Sequence, residues 1–196
     1  MRLTKANKQK ITDRIRSGAA TTFRAKGYDA VSLDMLMKEA GLTRGAFYAH
    51  YPSKGALFAD VLRLEHPLLA MLRARQGTHG DELHARMVGL FGAYLDPANH
   101  QVVFAGCTLA ALAGDATRAD DVGKAAFGAA IEDFCEEMAR EQGQAPERYI
   151  APLLLASGAV RTAAAINDDE QASMILASAR TAFMAVLPAP NTSKET

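Results

Sequence analysis

SLDMLMKEAGLTRGAFYAHY, residues Ser32–Tyr51, decides the fold of this chain. Ser32 can cap a helix start, its hydroxyl oxygen accepting a bond from an amide that the first turn leaves unpaired, and Asp34 complements the helix dipole there. Leu33, Leu36, Met37 and Ala40 recur at helical spacing and line one face. Gly41 follows where a helix ends in a left-handed residue, a backbone that glycine adopts without steric cost. Leu42 plugs the angle, and Thr43 caps a second helix over Arg44–His50 whose inner side is Ala46, Phe47 and Tyr51. Two short helices joined by a turn of about three to four residues containing glycine form a helix-turn-helix.

Such a unit sends the N-terminal residues of its second helix toward base edges in the major groove. Arg44 can bond guanine through two nitrogens, and Gly45 lets the backbone approach. Tyr48, one turn on, can donate its hydroxyl to a phosphate. Thr43, Ala46 and His50 complete that face. Ser53 and Lys54, at the next helix start, suit phosphate through free amides and an ammonium group, and Ser32 does so at its own helix start.

Charge supports this placement. Residues 1–63 hold twelve Lys/Arg against five Asp/Glu, a balance of +7, although the whole chain has net charge zero. The remaining residues carry the compensating −7, and a basic half is the electrostatic footprint of a nucleic-acid face.

Working outward, the apolar residues keep a helical period. Ile11, Ile15, Ala19 and Phe23 form one stripe on a helix of about Asn7–Lys26. Phe127, Ile131, Phe134 and Met138 form another on about Ala119–Gln142, and Ala172, Leu176, Ala179, Phe183 and Val186 a third. No segment alternates at period two, so the expected fold class is all-α. Breaks are expected at Gly77–Gly80, Asp96–Asn99, Gly143–Pro146 and Asn167–Asp169, with a kink or split at Pro67. Residues 188–196 read as a flexible tail. The N-terminus shows no apolar run behind its basic residues, which argues against a secretory leader. Ile150–Ile166 is interrupted by Arg161 and falls short of a membrane span. A cytoplasmic protein with no membrane partner is expected.

The run Ala40–Phe58, with Phe23-x-x-Lys26-Gly27-Tyr28-x-x-x-Ser32 before it, resembles the signature of the TetR family of bacterial regulators. The resemblance covers residues 8–68. One departure is Met37, where the family usually has a small Ala. The resemblance implies about nine helices, with a DNA-binding domain over 8–68 and an effector-binding and dimerisation domain over 69–187. It further implies a homodimer built on the last two helices, a palindromic double-stranded operator and a small-molecule effector. Small residues on those helices, such as Gly158, Ala163 and Ala177, independently allow close helix approach, either between subunits or within one chain. Effector-pocket candidates are Met87, Phe91, Phe104, Cys107, Phe127, Ile131, Phe134 and Leu155, with Leu90, Tyr94 and Leu109 beside them. Their Phe and Met content suits a mostly apolar ligand.

Cys107 lies at a helix start, where a thiol can become reactive toward electrophiles or oxidants; packing is the other reading of a cysteine there. Cys135 lies close to an apolar stripe. The five histidines show no metal-ligand spacing, no nucleophile has a base at motif spacing, and no cofactor or enzymatic activity is expected. The resulting expectation is a ligand-released repressor; the alternatives are a redox- or electrophile-sensing regulator using Cys107, or a helical interaction module.

Overall fold

The stripe from Ile11 to Phe23 builds helix α1, Lys5–Lys26, in a computed structural model that describes residues 5–74, 80–140 and 142–190. Ile15, Ala19 and Phe23 on that stripe are fully buried. The helix stops at Gly27, whose φ of 76° is open to glycine and whose amide donates to the Phe23 carbonyl at 2.7 Å. Helix α2, Leu33–Glu39, begins where the Ser32 hydroxyl accepts the Met35 amide. It ends in Gly41, at φ 64°, whose amide returns to the Lys38 carbonyl while that of Leu42 returns to Met37. Paired carbonyls of this kind close a helix end.

The second helix of the turn, expected over Arg44–His50, is instead a 3-10 helix over Arg44–Ala49. So short a piece, with Gly45 in its first turn and a Thr43 hydroxyl that makes no capping bond, fits the tighter form. Helix α3, Lys54–Leu64, starts from Ser53, whose hydroxyl accepts the Ala56 amide. Pro67 splits the following run: α3 ends at Leu64, and Pro67 opens helix α4, Pro67–Arg73, where its missing amide is harmless.

The later helices are α5, Gly80–Tyr94; α6, His100–Gly106; α7, Thr108–Arg118; α8, Asp121–Ala139; α9, Ile150–Ala164; and α10, Asp169–Val186. Thus ten α-helices and no strand occur among the described residues. None of these helices is long and apolar enough to cross a membrane. Most of the break expected at Gly77–Gly80 lies outside the described residues, as does the tail from 191.

Two compact units divide the described residues: Met1–His66 with Ala111–Ala130, and Pro67–Ala110 with Ile131 onward. The first therefore takes in residues well beyond the expected 8–68. Its core joins Phe23, Leu36, Met37, Phe47, Leu57 and Phe58 to Leu112 and Ala116 of α7. Phe58 meets Phe23 edge-on, with centroids 5.2 Å apart, and Tyr28 at 4.6 Å. Met37, the departure from the family pattern, is buried in this core.

In the second unit α9 and α10 form a hairpin around Leu153, Ala156, Val160, Leu176 and Phe183, and Phe183 stacks on Phe91 with centroids 4.7 Å apart. Val186, expected to continue the α10 stripe, is exposed. The segment read as a tail is held at its start. Pro188 is buried, and the Ala189 carbonyl accepts a bond from the Gln144 amide at 2.8 Å.

His66 ends the N-terminal stretch of the first unit. It is buried, and its Nε2 donates to the Leu62 carbonyl at 2.7 Å. Burial pushes its pKa below the ordinary 6.5, and the bond to Leu62 only partly opposes that. The folded state thus favours neutral His66. Its contribution is complete above pH of about 6.5 and is lost as pH falls through the depressed value. The melting temperature of the protein is expected to fall between about pH 7.5 and pH 5.5, and less steeply in His66→Gln. Equal slopes in both proteins would remove His66 from that account.

Candidate functional site

The 3-10 helix has one buried and one open side. Phe47 is fully buried, Ala46 is half-buried, and Thr43, Arg44, Gly45 and Tyr48 face outward. Tyr48 is 61% exposed, its ring edge-on to Phe47 at 5.3 Å. A Cβ built on Gly45 would meet nothing within 4 Å, so the protein itself does not demand glycine there. The Arg44 guanidinium pairs with Asp34 at 3.0 Å, and both side chains are more than 60% exposed. A pair so solvated contributes at most about 1 kcal/mol and is readily exchanged. Ser32 and Ser53 use their oxygens as capping acceptors, which leaves each hydroxyl proton free to donate.

Behind this face the contacts are structural. Tyr51 is buried, donates to Asp60 at 3.0 Å, and has its pKa driven up by burial and by that carboxylate. His50 Nδ1 lies 2.8 Å from the Thr12 hydroxyl, which itself donates to the Lys8 carbonyl. Thr12 has one proton, already given to a carbonyl that can only accept. With that proton on the carbonyl, the neutral tautomer that completes the pair carries its hydrogen on Nδ1 and donates to Thr12. Burial and the charge of Lys8 hold the His50 pKa down.

A cavity of about 300 Å³ lies in the second unit, lined by Pro67, Leu68 and Met71 of α4, Leu90, Ala93 and Tyr94 of α5, Val102, Val103 and Gly106 of α6, with Asn99 and Cys107. None of these side chains is charged. Cys107 sits between α6 and α7, and its sulfur accepts from the Tyr94 hydroxyl at 3.0 Å and from the Ala110 amide at 3.4 Å. The Tyr94 pKa is raised well above its ordinary value by burial and by Cys107.

Known proteins share this head. The pattern of bacterial regulatory proteins of the tetR family matches residues 15–61. The HTH-type transcriptional repressor AcnR of Corynebacterium jeikeium is 36% identical over 66 residues, which are 34% of this chain and 35% of AcnR. Over residues 15–61 the chain is similar to the tetR family. Solved structures extend the likeness in fold. Escherichia coli NemR in its reduced form has a TM-score of 0.71 at 14% identity, over 93% of this chain and all of that one. A tetR-family regulator from Streptomyces coelicolor has a TM-score of 0.62 at 19% identity, over 91% of this chain and 82% of that one. The sequence match spans only about a third of the length of AcnR.

Against the sequence expectations, the head keeps Thr43, Arg44, Gly45 and Tyr48 outward and leaves Ala46 half-buried, and two further side chains have partners within the protein. Lys54, expected at a phosphate, donates two of its three ammonium protons to the carbonyls of Tyr28 and Val31, each at 2.7 Å. The ammonium also lies 4.1 Å from the centre of the Tyr28 ring. His50, expected on the DNA face, braces α1. In the cavity, Cys107, Leu90 and Tyr94 are on the wall, whereas Phe91 and Phe134 are packed beside it along a narrower space. Met87 is buried in α5, and Phe104, Ile131 and Leu155 are half-buried off the wall. Phe127 packs against the head core, because residues 111–130 fold with the head.

Sequence reasoning missed Asp34 as the partner of Arg44, Thr12 as the partner of His50, and the α4 and α6 walls of the cavity. Only Pro67 signalled itself. Lys54→Met removes a donor from two carbonyls while keeping the aliphatic stem. It is expected to destabilise the protein by about 2 kcal/mol, read as a lowered midpoint in chemical denaturation; an unchanged midpoint would show that the carbonyls are equally well served by water.

Proposed function

We propose that this protein is a cytoplasmic, sequence-specific transcriptional repressor that leaves its operator when a small, uncharged, mostly apolar molecule occupies the second-unit cavity. The observation that carries the DNA-binding part is the outward face Thr43–Arg44–Gly45–Tyr48, fixed from behind by Phe47. Arg44 exchanges Asp34 for guanine, the bare Gly45 admits the groove wall, and Tyr48, Ser32 and Ser53 donate hydroxyl protons to phosphates. AcnR is named a repressor, which supports the direction of control.

The partner is a second copy of the chain. Ile150, Leu154 and Met174 on α9 and α10 are large apolar side chains left exposed, and small residues between them permit close approach. Two heads in a symmetric dimer read an inverted repeat. The effector is uncharged because a charged one would find no counter-charge on the cavity wall. Bound selectively to the released conformation, it shifts the equilibrium by its difference in affinity for the two states.

Arg44→Ala is expected to weaken binding to the operator by about 1–3 kcal/mol and to relax specificity at the contacted base, measured by titration of a selected duplex. Operator affinity equal to that of the unaltered protein would remove Arg44 from base reading.

A second reading is favoured by one observation. Cys107 lies on the cavity wall with the Tyr94 hydroxyl and the Ala110 amide directed at its sulfur, donors that stabilise a thiolate. In this reading an electrophile or oxidant entering the cavity acts at Cys107. Treatment with N-ethylmaleimide is then expected to release the unaltered protein from DNA and to leave Cys107→Ser bound. Release of both proteins alike would end this reading.

A further inference from the structure

Asp115 is 87 residues from Tyr28 in the chain, yet its Oδ1 accepts the Tyr28 backbone amide at 2.9 Å. We infer that Asp115 is a positioning residue for DNA recognition, holding the α1–α2 loop so that α2 and the reading helix keep their direction. The inference rests on the DNA-binding reading of the head.

The geometry is specific. Leu112, Asp115, Ala116 and Ala119 recur at helical spacing on α7 and just beyond it, and the three apolar members lie against the head core. Asp115 lies on that face with its side chain only 12% exposed. Arg118 donates to the same oxygen at 3.2 Å, which fixes the carboxylate in place. Gly27 allows the approach: a Cβ there would lie 3.3 Å from Oδ1. Lys54 takes the other side of the same residue, donating to the Tyr28 carbonyl. Tyr28 is thus gripped at its amide by α7 and at its carbonyl by α3.

The residues just after Tyr28 carry this grip to the reading helix. Val31 returns its amide to the Tyr28 carbonyl, and Ser32 caps α2 directly afterward. The position of Tyr28 therefore sets where α2 starts. The far end of α2 carries Gly41–Thr43 and, through them, the reading helix. Asp115 touches neither base nor phosphate. It acts through the loop.

The test uses the full-length chain and a duplex that the unaltered protein selects from a random pool. Asp115→Asn retains a carbonyl oxygen for the Tyr28 amide and Asp115→Ala does not, while both remove the same charge. Asp115→Ala is expected to bind the selected duplex about ten-fold more weakly, Asp115→Asn to bind it as the unaltered protein does, and both to bind a random-sequence duplex alike. Equal weakening in the two variants, or none in Asp115→Ala, overturns the inference. Hydrogen exchange on the unaltered protein decides the matter if Asp115→Ala fails to fold. The Tyr28 amide is expected to exchange more slowly than those of exposed Asp29 and Ala30, and equally fast exchange overturns the inference. Failure of the unaltered protein to select any duplex would count against the DNA-binding reading instead.

Discussion

The Lys54 ammonium between the carbonyls of Tyr28 and Val31 is the contact on which the arrangement of the head depends. A short loop between two helices has backbone polar groups that no helix ladder can satisfy, and each needs a partner if water is kept away. Lys54 supplies two donors from α3, and the Tyr28 ring covers the charge. Partial burial lowers the Lys54 pKa, and Asp29 opposes that shift. The result ties the start of α2 to the start of α3, so the helices on either side of the reading helix share an anchor. A phosphate would compete with those carbonyls for the same ammonium. The side chain that looks most like a phosphate ligand is thus also the joint that holds the loop between α1 and α2.

The parts of this arrangement legible in the sequence are the local ones. Capping by Ser32 and Ser53, closure at Gly41 and the break at Pro67 each depend on residues within a turn or so of one another. The α1 stripe is likewise set by spacing along one helix. Partners far apart in the chain leave no such trace. Lys54 reaches back 23 residues to Val31, and Asp115 reaches 87 to Tyr28. Phe127 shows the same limit from the apolar side. Periodicity places it in line with Phe134 on α8, but only the fold shows that its end of the helix belongs with the head core while Phe134 lies in the second unit.

The cavity escapes the sequence for a different physical reason. Large apolar residues at helical spacing identify what is buried, and what is buried is close-packed. Phe91, Phe134 and Met87 accordingly fill space. A cavity forms where bulk is missing, and the wall here includes Ala93, Val102, Val103 and Gly106, none of which is conspicuous in a sequence. Choosing ligand contacts by size therefore favours the packed core. Cys107 and Tyr94 reach the wall because α5 and the α6–α7 joint bring their polar tips together at its edge.

The reading face has the opposite character to its support. Phe47 is fully buried and Tyr51 nearly so, while Thr43, Arg44, Gly45 and Tyr48 contribute little to cohesion. Residues free of a packing duty can change and leave the fold intact, which on the proposed reading lets them follow the operator. Asp34 adds a constraint of its own. Its carboxylate competes with every acceptor that Arg44 meets, and it is exposed enough to be given up at small cost. On the proposed DNA-binding reading, any ligand of Arg44 must first displace Asp34, so the acidic neighbour weakens loose, poorly aligned contacts and works in favour of specificity.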